Sequence, residues 1–103
     1  VSKLRIPSRY TLLGQTIQVA MDKSLMATHD ARGMYSPIPY IVMLHPQDVA
    51  IGHFQQSVEQ TFCHELTHSI LHMMGEQKLY DNEKFVDLFG HLLHQALTTM
   101  EYK

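Results

Sequence analysis

The sequence predicts an α+β domain: a small sheet of three to four strands from the N-terminal half, packed on two long helices from the C-terminal half. Three observations predict it. As far as Pro46 the apolar residues alternate with polar ones or stand in short blocks between Gly and Pro, the pattern of strands. Beyond Gly52 they recur at helical spacing. The two patterns do not mix, so strands and helices are segregated along the chain. A length of 103 residues fits one domain, 1–103, with a small core.

The elements follow in order. Tyr10–Leu13 is a short β-like run after Pro7. Over Thr16–Asp22, Ile17, Val19 and Met21 face one way and Gln18, Ala20 and Asp22 the other. Residues 23–32 are mixed and read as a loop with room for a helical turn. Gly33, Met34, Tyr35 and Ser36 make a short strand, and Pro37 and Pro39 suit a turn or a sheet edge. Tyr40–Leu44 is continuously apolar, as in a buried strand, and His45-Pro46 closes it. A first helix starts between Gly52 and Ser57, where Ser57 and Gln60 would form a capping box, and runs to Met74 before the stop signal Gly75. Its buried stripe is Val58, Phe62, Leu66, Ile70 and Met73 or Met74. A second helix begins near Asp81 or Asn82, both good caps. Its apolar stripe is Phe85, Val86, Phe89, Leu92, Leu93, Ala96, Leu97 and Met100.

Charge and composition exclude some classes of function. A net charge of −2 gives no support for a nucleic-acid surface, and Lys3, Arg5 and Arg9 read as solvated surface. No apolar run is long enough to span a bilayer, so no membrane association is expected. Cys63 is the only cysteine, which rules out an internal disulfide and suits a small core residue. With no secretory signal in view, the expected location is the cytoplasm. Nothing in the sequence indicates the oligomeric state.

The chemistry lies in His64-Glu65-Leu66-Thr67-His68, an H-E-x-x-H pattern. Imidazoles at i and i+4 share one side of a helix, so both reach one metal ion. Glu65 falls on the flank, where it can take a proton from water without ligating the metal. These residue types at this spacing point to zinc and to hydrolysis of an amide. A catalytic zinc takes three protein ligands. His72 continues the series, but two turns, about 12 Å, separate it from His64, too far for one ion. It reads as a rim or surface residue. His91 and His94 lie farther down the second helix and are weaker candidates. Glu83 opens the second helix and Asp87 follows one turn later on the same face. Acids at a helix start also suit the macrodipole, which accounts for Glu83 more comfortably than for Asp87.

Asn82-Glu83-Lys84-Phe85-Val86-Asp87-Leu88-Phe89-Gly90 resembles the glutamate helix of thermolysin-like peptidases, N-E-x-x-x-D after H-E-x-x-H. Over residues 57–100 the chain therefore resembles the gluzincins, and its length resembles their very small single-lobed forms, such as phage zincins and minigluzincins. The resemblance implies a minimal zincin-like fold and a zinc-dependent metallopeptidase acting on a peptide or protein. It implies His64, His68 and Glu83 as zinc ligands, Glu65 as general base, and Asp87 accepting the remaining ring N–H of His64. Two departures stand out. The interval from His68 to Glu83 is shorter than in thermolysin, and there is no second lobe to supply a histidine to the oxyanion. Tyr80, His72 and His91 are the candidates for that task or for the pocket. Gly33, Met34, Tyr35 and Ser36 are the candidate edge strand along which an extended substrate would lie. The alternative expectation is a zincin-fold regulatory or binding module with little catalysis.

Overall fold

The computed structural model describes residues 4–25, 31–46 and 54–103, with backbone alone at 54–57. Among the described residues the fold is α+β, with a four-stranded mixed sheet and three helices, two of them long. The strands are β1 (Arg9–Leu12), β2 (Gln15–Met21), β3 (Gly33–Pro37) and β4 (Tyr40–Leu44). The helices are α1 (Phe54–Met74), the single turn α2 (Gln77–Tyr80) and α3 (Glu83–Thr99). No helix among the described residues is long and apolar enough to cross a membrane.

The sheet order is β1-β2-β4-β3. β1 and β2 form an antiparallel hairpin through Leu13 and Gly14, whose φ angles of 48° and 79° are both positive, as a two-residue primed turn requires. That turn takes Leu13 out of the strand in which the sequence placed it and leaves its side chain in solvent. β4 inserts between β2, to which it is parallel, and β3, to which it is antiparallel. β3 is therefore an outer strand, which accommodates Pro37 at its end. The alternation expected in β2 weakens along it: Ile17 is buried, Val19 half-buried and Met21 exposed.

Ile17, Tyr35, Val42 and Leu44 from the sheet close on Val58, Phe62 and Cys63 from α1. α1 touches β3 and β4 on one side and α3 on the other. α1 thus lies between the sheet and α3. A helix covered on two sides has no broad solvent face, and Glu59, Glu65, Thr67, His68 and Ser69 are buried along it. Gly75, at φ 74°, ends α1: its N–H donates to the His72 carbonyl and that of Glu76 to the Leu71 carbonyl, a Schellman closure. Asn82 caps α3 by accepting from the Phe85 N–H at 3.0 Å.

The stripe expected to bury α3 divides in two. Val86 is buried and Phe85 and Leu93 are half-buried, whereas Phe89, Leu92, Ala96, Leu97 and Met100 are exposed; Gly90 and His94, outside the expected stripe, are buried with Val86. The apolar period of α3 is broader than the face that α1 covers. α1 starts at Phe54, before Ser57; the Ser57 side chain, Lys3, and residues 26–30 of the expected loop lie outside the described residues.

Candidate metal centre

α1 and α3 run antiparallel, and their contact brings the two sequence motifs together. His64 and His68 project from successive turns of α1. Glu83, the first residue of α3, meets both: its Oε2 lies 3.1 Å from His64 Nε2 and its Oε1 3.0 Å from His68 Nε2. One ligand atom from each of the three lies within 4.8 Å of the others. The group can therefore hold a metal ion. Its fit is a matter of spacing and donor type. The two short contacts fall on different carboxylate oxygens, so the Glu83 carboxylate faces both imidazoles, and one donor atom from each residue stays within reach of a shared ion. Two imidazoles and a carboxylate suit a borderline-soft divalent cation.

Electrostatics point the same way. Burial pushes the His68 pKa below the ordinary histidine value, Glu83 partly opposing it, so His68 favours the neutral imidazole that a metal requires. Its Nδ1 is buried and has no hydrogen-bond partner among the described residues. On the far side of His64, Asp87 Oδ1 lies 3.6 Å from Nδ1, facing the ring nitrogen at slightly more than hydrogen-bond length.

Glu65 is buried beside this cluster. Burial, with the nearby negative charge of Glu83, pushes its pKa up to about 8, although the Tyr35 backbone N–H donates to its carboxylate. Two acids so close repel each other, and a cation between them relieves that repulsion. Gly33 makes the approach of β3 feasible: a Cβ there would lie 2.5 Å from Thr61 Cγ2 and 3.1 Å from Glu65 Cγ. The register explains the Tyr35 contact. His45 N–H donates to the Arg32 carbonyl at 2.8 Å, so by antiparallel alternation Met34 and Ser36 bond to β4. Gly33 and Tyr35 turn their backbone groups to the outer edge, and Glu65 takes one of them.

The remaining candidates are distributed around this cluster. The Tyr80 ring packs against His68 with centroids 4.7 Å apart. Burial, followed by the charges of Glu65, Asp81 and Glu83, raises its pKa, so the phenol stays protonated at neutral pH. His72 does not face the ligands; its Nδ1 shares a 3.0 Å hydrogen bond with the Tyr35 hydroxyl, whose pKa burial pushes up to about 12. His91 is exposed on the wall of a cleft of about 300 Å³, with Arg32, Gly33, Gln60 and Thr61, beside His64, Glu65 and Asp87. His94 is turned away: its Nε2 bonds Glu59 Oε1 at 2.9 Å, both side chains being buried. The sequence reading missed this pair. Its signal was present, since His94 continues the inward series Val86 and Gly90. The chain matches no protein-family model, no curated protein and no solved structure.

Proposed function

We propose that the protein is a zinc-dependent metallopeptidase of the gluzincin type. The observation that carries this reading is the convergence of His64, His68 and Glu83 from two helices, with the buried Glu65 at their side. The order H-E-x-x-H then N-E-x-x-x-D supports it independently. Zinc held by His64, His68 and Glu83 would supply Lewis acidity, to polarise a substrate carbonyl and acidify water.

The protein's own groups do the rest. Glu65, buried beside the three ligands, accepts the proton of the attacking water and passes it to the departing amine. The Tyr35 N–H holds that carboxylate in place. Tyr80, whose ring packs on His68, is the candidate to donate to negative charge on the substrate oxygen. With the Tyr35 N–H taken by Glu65, the outward N–H of Gly33 and the outward carbonyls of Gly33 and Tyr35 remain to pair with an extended peptide.

The test is cleavage of an unfolded protein by zinc-loaded parent, with and without chelator, beside Glu65→Gln and Glu83→Ala. Chelator-sensitive cleavage is expected in the parent. Glu65→Gln should bind zinc as the parent does and lose at least 100-fold in rate, the usual weight of a general base. Glu83→Ala should bind zinc more weakly. Full activity of zinc-loaded Glu65→Gln refutes the mechanism. Tight zinc binding with no cleavage identifies a binding module.

A further inference from the structure

The contacts between α1 and α3 form a ladder. Glu83 meets His68 and His64, Asp87 faces His64, Gly90 lies on the backbone of Cys63 and His64, and His94 bonds Glu59. Polar contacts stand at both ends, about 16 Å apart along α3 at the standard rise. Past Asp87, which belongs to the Glu83 end, only Gly90 is buried before His94, and its contacts are not directional.

Glu59 and His94 are almost completely buried, at 0% and 4% exposure. A buried carboxylate–imidazole pair is an expensive way to hold two helices together. Apolar residues of similar volume commonly stabilise as well or better, and the best-attested use of a buried polar pair is to specify register. Register matters here because Glu83 is largely exposed and its position depends on where α3 lies along α1. A slip of one residue would move it about 1.5 Å and turn it about 100° away from the imidazoles.

We infer that the Glu59–His94 hydrogen bond is a register lock, fixing α3 along α1 at the height where Glu83 meets His64 and His68. Both are positioning residues: neither touches the ion or a substrate. The inference rests on the metal-site reading above. The test compares the parent with Glu59→Leu/His94→Leu by thermal melting, zinc affinity in competition with a chromogenic chelator, and the visible absorption of the cobalt(II) form. The double variant should melt at or above the metal-free parent, bind zinc at least tenfold more weakly and show an altered cobalt spectrum. A folded double variant with parental zinc affinity and spectrum overturns the lock. A parent that binds no zinc overturns the metal site itself, so the two failures are distinct. If the double variant does not fold, His94→Gln and His94→Asn replace it, because the Gln amide reaches the Nε2 position and the shorter Asn does not. Weaker zinc binding by folded His94→Asn alone supports the lock, and equal affinities overturn it.

Discussion

Glu65 shows how one side chain couples acid–base chemistry to stability. Its pKa rises from 4.5 in the free residue to about 8 in the fold, chiefly through burial. A carboxyl raised on folding contributes stability that is complete below its unfolded pKa and lost as pH climbs to its folded one. For metal-free protein the loss runs from about pH 4.5 to about pH 8, on the order of a few kcal/mol. Glu65→Gln cannot ionise and avoids it. Metal-free Glu65→Gln should therefore melt above the metal-free parent at pH 8, and the gap should close near pH 5. Identical melting curves at both pH values would show that the carboxylate carries no burial penalty. Cys63, fully buried on the same helix with its thiol pKa pushed up to about 11 by burial and Glu59, should resist thiol reagents at pH 8 until the protein unfolds. Rapid labelling of native protein would contradict that.

At the scale of elements, the meeting of α1 and α3 depends on Gly90. A Cβ there would stand 3.0 Å from both Cα and N of His64, and backbone cannot move aside as a side chain can. Gly90→Ala should cost about 1–3 kcal/mol of stability, as overpacking does, and weaken zinc binding because the two ligand-bearing helices part. Calorimetry and a chelator titration check both halves, and an unchanged melting point would disprove the close packing. Much at this scale was legible in the sequence. Alternation in β2, the apolar run of β4 and the short blocks beside Gly and Pro located the strands to within about a residue, Gly75 marked the end of α1, and Asn82 was read as one of two caps. The H-E-x-x-H and N-E-x-x-x-D spacings singled out the residues that the fold brings together. What was not legible depended on tertiary contact. Leu13 sits in a turn that Gly14 imposes. The α3 stripe covers more of the helix than α1 can bury. His94 looked like another polar residue because its partner, Glu59, is distant along the chain.

For the whole molecule, binding and folding are linked. The core is small, and a ligand held only by the folded state adds stability in proportion to the logarithm of its concentration over its dissociation constant. Zinc at 100 times its dissociation constant should add about 2.7 kcal/mol, and EDTA should lower the melting temperature correspondingly. A melting point indifferent to both would deny that the folded state binds the ion.

Two donors belong to α1 and the third to α3, across the intervening turn α2. Neither segment by itself can complete the coordination. In a refolding mixture, the number of zinc ions retained after gel filtration should then equal the number of molecules whose last helix has come home.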